Sequence, residues 1–384
     1  GNDTIYGLGG DDKIIGENGD DLIYGGDGND LILAGDGNNT VDGGDGDDNI
    51  TSGDGDDTIY SGAGIDNIDA GNGINIVYID SASGQVSTGI GDDEIYVRGG
   101  GPQDLHSGGE WINAGDGFNR VECSSRVTFV ATGSGNDRVT LDKGSRDGAT
   151  TGTGDDTIVA NGFIGSDVAW LGGSIYTGDG SDQVELYGGS RMWYGSGMES
   201  YNTGVYAGTG NDAIVLGGSQ NYGFAFGEDG DDTINAANAA AVLQISGGAG
   251  NDQISGSRGS DGIDGGTGDD LIDGNGGNDH VSGGDGNDTV RGGGDDDSIN
   301  GNGGNDQIDA GSGNNVVYGD SGDDSIISGV GNDSLYGGSG SDLLKGGGGD
   351  DNIYGDAQGA VDLDQLAVDT AAYSGNSADY TIAR

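Results

Sequence analysis

One stretch constrains this chain more than any other: Gly25-Gly26-Asp27-Gly28-Asn29-Asp30-Leu31-Ile32-Leu33. It has the form G-G-x-G-x-D-x-U-x, with U apolar. It returns in register as Gly43-Gly44-Asp45-Gly46-Asp47-Asp48-Asn49-Ile50-Thr51 and as Gly283-Gly284-Asp285-Gly286-Asn287-Asp288-Thr289-Val290-Arg291. A unit this short buries its one apolar residue only by stacking on copies of itself, so the period dictates a repeat architecture.

Each unit has two halves. The first six residues make a turn, and its glycines supply positive φ and close backbone approach. The turn exposes carbonyl oxygens, and the Asp that closes it adds a carboxylate. Hard oxygen donors of this kind suit Ca2+. The remaining x-U-x is one short strand, with U pointing inward and both neighbours outward. Two units make a coil of 18 residues with a turn at each edge. The expected fold is therefore all-β: a parallel β-roll or β-solenoid of stacked 18-residue coils, with calcium in the turns between units one coil apart.

Composition sets the limits. The 384 residues include 91 glycines and one proline, and 67 acidic against 12 basic residues give a formal net charge of −55. With 31% hydrophobic and 6% aromatic residues, a large mixed core is out of reach. Such a composition alone would suit an acidic disordered chain, but disorder does not require Ile or Val at every ninth position. The charge excludes nucleic acid as a partner. No apolar run is long enough to span a membrane. Cys123 stands alone, so no disulfide framework exists. The chain opens on the last six residues of a unit, Gly1-Asn2-Asp3-Thr4-Ile5-Tyr6, without an initiator Met, and reads as a fragment of a longer protein.

Four segments follow along the chain. Residues 1–96 are a regular block, with turns closing at Asp3, Asp12, Asp21, Asp30, Asn39, Asp48, Asp57, Asp66, Asn75, Gly84 and Asp93. The Asn turns are expected to keep an oxygen ligand without its charge, and Gly84 loses the ligand. Residues 97–251 are irregular, with turns closing at Asn119, Asp137, Asp156, Asp182, Asp212 and Asp232. Their wider spacing predicts one edge that keeps its turns while the other carries insertions, such as 161–176 and 187–206. Residues 252–354 are the second regular block, with turns at Asp252, Asp261, Asp270, Asp279, Asp288, Asp297, Asp306, Asn315, Asp324, Asp333, Asp342 and Asp351. Residues 355–384 are a non-repeat C-terminal segment, with 361–368 a short helix.

These units resemble the RTX (repeats-in-toxin) family, the calcium-binding β-roll repeats of exported bacterial proteins. The closing stretch from Asp369-Thr370-Ala371-Ala372-Tyr373-Ser374 onward is similar to segments that follow such repeats in large surface and secreted proteins. The resemblance implies export without an N-terminal signal and folding on meeting calcium outside the cell. About 20 ions are expected from the number of gaps between neighbouring turns.

No catalytic arrangement competes with this reading. His106 and His280 are the only histidines, and H-E-x-x-H, G-x-S-x-G and G-x-x-x-x-G-K are absent. Asp pairs that recur in every unit say scaffold rather than glycosidase dyad. The chain is therefore read as no enzyme. The irregular segment carries all three tryptophans and much of the arginine, a composition that contact surfaces share. Trp111, Trp170, Arg191, Trp193, Tyr194 and Tyr201 are its candidate contact residues, facing a glycan, a protein or another copy of the chain in a surface layer or filament.

The sequence thus predicts an extracellular, secreted or cell-surface structural or adhesive segment. Two alternatives stand beside it. One is the repeat region of a secreted protease, lipase or polysaccharide epimerase whose catalytic domain lies outside these residues. The other is an ice-binding β-solenoid, which would need a flat rank of Thr or Asn along one face.

Overall fold

A computed structural model describes residues 1–80, 84–98, 111–124, 127–142, 145–161, 174–187, 204–218, 222–240, 242–356, 370–371 and 381–383. The segment expected to be helical, 361–368, lies outside the described residues, as does His106. All described secondary structure is β-strand.

Alternation builds the strands. In Leu22–Asp27 the Ile23 side chain is fully buried, while Leu22 and Tyr24 on either side face outward. The next strand, Leu31–Leu33, buries Ile32 in the same way. One coil thus contributes a strand to each of two parallel sheets. In the first sheet Ile23 pairs with Val41, and Val41 with Ile59. In the second, Ile32 pairs with Ile50, and Ile50 with Ile68. The two inward ranks meet along the axis as a core one side chain deep from each sheet. β-Branched residues suit it because they pack stiffly on a pleated surface.

The chain divides into two compact units, Gly1–Thr203 and Gly204–Arg384. In the first, the irregular coils keep the same construction: Ile95 pairs with Val121, Val121 with Val139, and Val139 with Ile158. Cys123 is a buried member of this core. In the second, Ile263 pairs with Val281 and Val281 with Ile299. His280 lies outward beside Val281, as its x position requires.

The turns are bonded across coils as fully as the strands. Gly28 N–H donates to Asp45 O at 2.7 Å, and Thr40 N–H to Asp21 O at 2.8 Å. This favours glycine at the second and fourth turn positions, although Leu8, Glu17 and Asn302 hold the second position at positive φ. Gly26 has φ +115° and a Cβ there would lie 2.2 Å from Leu8 O; Gly28 has φ +132° and its Cβ would lie 2.4 Å from Gly10 O. Outward residues also stack at coil spacing. Tyr60, Tyr78 and Tyr96 form a ladder with ring centroids 5.0 and 5.3 Å apart, capped by the Arg98 guanidinium 4.5 Å from the Tyr78 ring.

A core this thin has no slack. Ile272, fully buried, is flanked at strand spacing by Ile254 and Val290. Ile272→Ala is expected to cost about 2–5 kcal/mol, read as a lower thermal midpoint in saturating calcium.

Candidate metal centre

The turn-closing side chains do two different jobs. One carboxylate oxygen, Oδ1, accepts the backbone N–H of the equivalent residue one coil earlier. Asp12 N–H donates to Asp30 Oδ1 at 2.8 Å, Asp30 N–H to Asp48 Oδ1 at 2.8 Å, and Asp270 N–H to Asp288 Oδ1 at 2.8 Å. In the first unit this ladder runs unbroken along one edge through Asp3, Asp21, Asn39, Asp57, Asn75, Asp93, Asn119, Asp137, Asp156 and Asp182. It crosses the 26-residue coils without a gap. In the second unit it runs through Asp212, Asp232, Asp252, Asp270, Asp288, Asp306, Asp324 and Asp342. The other edge of that unit carries Asp261, Asp279, Asp297, Asn315, Asp333 and Asp351 in the same relation.

The other oxygen, Oδ2, is the reason to expect a cation. It is buried without a hydrogen-bond partner in Asp12, Asp21, Asp30, Asp48, Asp57, Asp66, Asp93, Asp137, Asp156, Asp232, Asp252, Asp270, Asp279, Asp288, Asp297, Asp306, Asp324, Asp333 and Asp351. Its neighbourhood is mapped by the first glycine of the turn. A Cβ on Gly25 would sit 2.5 Å from Asp30 Oδ2 and 2.3 Å from Gly43 O, the carbonyl one coil on. On Gly43 it would sit 2.6 Å from Asp48 Oδ2 and 2.4 Å from Ser61 O. Gly265 repeats this in the second unit, with Asp270 Oδ2 and Gly283 O both at 2.3 Å. Each such turn therefore holds a cradle in which a carboxylate oxygen faces carbonyl oxygens with no donor between them.

An unpaired buried carboxylate costs several kcal/mol, and this arrangement recurs turn after turn. Among the described residues, no three His, Cys, Asp or Glu side chains gather at one point. The donor set is one carboxylate per turn plus backbone carbonyls. That is hard-oxygen chemistry, which fits Ca2+ and not the nitrogen- and sulfur-seeking metals. The residues present fit calcium.

Three groups of predicted ligands depart from this pattern. Asp3 is largely exposed at the first coil. Asp261 is taken by Ser257, whose N–H donates to Oδ2 at 2.6 Å and whose hydroxyl donates to Oδ1 at 3.0 Å. Asn39, Asn75, Asn119 and Asn315, expected to keep an oxygen ligand, turn their amide nitrogen into the cradle instead. Asn39 Nδ2 donates to Gly35 O at 2.9 Å, Gly37 O at 3.0 Å and Ser52 O at 3.3 Å. Their oxygen is spent on the ladder, as at Asp21 N–H to Asn39 Oδ1. Sequence reasoning also passed over the first turn position. Ser52, Thr88, Thr132 and Thr151 stand there in place of glycine, beside Asp57, Asp93, Asp137 and Asp156.

Of the candidate contact residues, Trp111 is described and half exposed. Trp170, Arg191, Trp193, Tyr194 and Tyr201 lie outside the described residues.

Comparison with known proteins agrees with this geometry. A family model described as RTX calcium-binding nonapeptide repeat (4 copies) matches residues 1–68 and 244–359 in overlapping copies. No curated protein matches the chain. Among solved structures, one match is an X-ray crystal structure of a hyperactive, Ca2+-dependent, β-helical antifreeze protein from an Antarctic bacterium. It is 20% identical, covers 89% of this chain and 83% of its own, and superposes with a TM-score of 0.36. Residues 1–68 and 244–359 are thus RTX calcium-binding repeats, and the described strands form an all-β parallel β-solenoid.

Burial sets a pH dependence. On the protein's own groups, desolvation lifts Asp48, Asp66, Asp232 and Asp297 to about 6, and Asp270, Asp279 and Asp306 to about 7, from 3.8. Folded-state values raised in this way penalise the calcium-free fold fully above about pH 7 and not at all below about pH 4. In chelator, β-structure by circular dichroism is expected to grow as pH falls through that window. With calcium the order reverses, because protons compete for the carboxylates, and the calcium midpoint should rise below pH 6.

Proposed function

We propose that this chain, built on RTX calcium-binding repeats, is a rigid extracellular segment of an exported bacterial protein, structural or adhesive in role, that folds when calcium fills its turns. The single observation carrying this is the recurring buried carboxylate oxygen that faces only carbonyls. Ionised above about pH 7 and without a cation, it opposes folding in every coil that has it. At low cytosolic calcium the chain stays open under its own charge, a state suited to passage through an export channel. Outside, at about 1 mM calcium, even sites with Kd near 10⁻⁴ M fill, and binding free energy becomes folding free energy. The ion count is set by the Asp turns, on the order of 20.

Circular dichroism in a calcium titration tests this directly. At pH 7.5 the β signal should be largely lost in excess chelator and return cooperatively with calcium. A signal already complete in chelator overturns the reading.

The contact surface has its described part at Trp111. The indole is 50% exposed and tilted on Phe129, with ring centroids 5.3 Å apart. It stands at one end of a groove of about 590 Å3 along the outer face of the second sheet, lined also by Asn49, Asn67, Gln85, Ser87 and Asn113. A flat aromatic face beside fixed amides and hydroxyls suits a sugar ring, whose C–H face stacks while its hydroxyls bond to the polar row. That row reads Lys13, Leu31, Asn49, Asn67, Gln85, Trp111 and Phe129 in coil order, which offers ice no flat rank of Thr or Asn. Trp111→Ala should reduce binding to a polysaccharide panel at least tenfold while leaving the calcium titration unchanged. Equal binding by the variant would remove the groove from the proposal.

A further inference from the structure

The four asparagine turns are not degenerate copies of the aspartate turns. Each occurs with the same two companions. Ala34, Ala70, Ala114 and Ala310 stand five residues before Asn39, Asn75, Asn119 and Asn315, where most Asp turns have glycine. On the same edge, the next coil in each case closes on an Asp preceded at the first position by Ser or Thr: Ser52 with Asp57, Thr88 with Asp93, Thr132 with Asp137, and Ser328 with Asp333. Ala207 before Asp212 is the one alanine at the first position of an Asp turn.

The structure gives this triplet a physical meaning. The alanine methyl occupies the point where a Cβ on the glycine of an Asp turn would press against Oδ2 and the carbonyl one coil on. The amide nitrogen then donates to the carbonyls around the cradle. Asn75 reaches Gly71 O, Gly73 O and Thr88 O at 3.2, 3.3 and 3.2 Å, and Asn119 reaches Gly115 O and Gly117 O at 3.0 and 3.3 Å. Asn315 makes the long version of the same bond, to Gly313 O at 3.5 Å. The hydroxyl of the next coil continues the chain of donors. Ser52 donates to Ala70 O at 2.8 Å and Thr88 to Ala114 O at 2.9 Å. In an Asp turn the same carbonyls face an anionic oxygen and need a cation. Around each asparagine they face the amide N–H instead and need none, while the Oδ2 of the following Asp57, Asp93, Asp137 or Asp333 stays without a hydrogen-bond partner.

We propose that these four Ala–Asn and Ser/Thr–Asp doublets are calcium-independent clamps: between their two coils the side-chain amide takes the place of the metal, so no ion binds there. This rests on the reading that the Asp turns bind calcium. Three of the four lie along the continuous edge of the first unit, at Asn39, Asn75 and Asn119, alternating with Asp57, Asp93 and Asp137. Along that edge clamped joints therefore alternate with joints at Asp57, Asp93 and Asp137, whose Oδ2 is buried without a hydrogen-bond partner and still asks for a cation. A nucleus of coils held this way gives the calcium-driven coils a template to propagate from.

Ion counting by native mass spectrometry in saturating calcium tests the proposal. The variant Ala34→Gly/Asn39→Asp/Ser52→Gly should hold at least one ion more than the wild type. The variant Gly265→Ala/Asp270→Asn/Gly283→Ser should hold at least one fewer. A wild type that binds calcium while neither variant changes the count overturns the clamp and leaves the calcium reading standing. A wild type that binds none overturns both. A second measurement needs no variant: as calcium is withdrawn from the wild type, backbone amides of residues 35–57 should exchange more slowly than those of 265–288. Equal or faster exchange at 35–57 overturns the clamp even if a variant fails to fold.

Discussion

A single buried oxygen sets the terms for this molecule. Asp Oδ2 points into a turn where it faces backbone carbonyls, as Asp30 Oδ2 faces the region of Gly43 O. Stability margins of folded domains are about 5–15 kcal/mol, while an uncompensated buried charge costs about 3–5 kcal/mol. A handful of such turns, ionised and unpaired, would exceed the margin of the whole fold. More than a dozen are present. The fold and its cation are therefore one thermodynamic object, and the glycine at the first turn position is the feature that keeps room for the ion.

The strands cannot supply this stability alone. Each regular coil buries two β-branched or Leu side chains, such as Ile23 and Ile32, against those of its neighbours. The outward positions are largely polar, glycine or aromatic, with scattered aliphatics such as Ile15 and Leu31 left exposed. Because turns and strands are bonded at the same coil spacing, a cation that fixes a turn also fixes the register of both strands leaving it. In stacked repeats each coil contacts only its neighbours, so order fixed in one turn favours order in the next.

Much of this was legible in the sequence, for a definite reason. The period of nine fixes which residue is inward, so Ile23, Ile32, Val41 and Ile50 could be placed in the core without coordinates. It also orders the turns along one edge, from Asp3 through Asn119 to Asp182, while the hydrogen-bond ladder that joins them came only from the structure. The role of the asparagines was not legible. Asn and Asp present the same oxygen to the ladder, and the sequence shows that likeness. The difference lies at the second branch atom, and which way it faces depends on carbonyls contributed by another coil. The alanines and hydroxyls at the first turn position were visible as letters. They acquire meaning only once the structure shows that this position and the turn-closing residue share one cradle. The contact surface was legible as composition, and of its residues the structure describes Trp111.

Two ladders of side-chain bonds separate what calcium does from what it does not do. At the turn-closing position the side chain reaches back, accepting an N–H from the coil before, as Asp48 does from Asp30. At the preceding, exposed position it reaches forward: Asp11 accepts the N–H of Asn29, and Asn29 that of Asp47. Each coil is thus stitched to both neighbours by bonds in which no metal takes part. The oxygen left over when a carboxylate makes the backward stitch is the place proposed for calcium. An asparagine makes the same stitch and leaves a donor in place of that oxygen, as Asn39 does. An alanine there would remove the joint itself. The choice between Asp and Asn at one position therefore changes the group facing the carbonyls while keeping the ladder bond. That is why both residues stand in one continuous edge with no break in register.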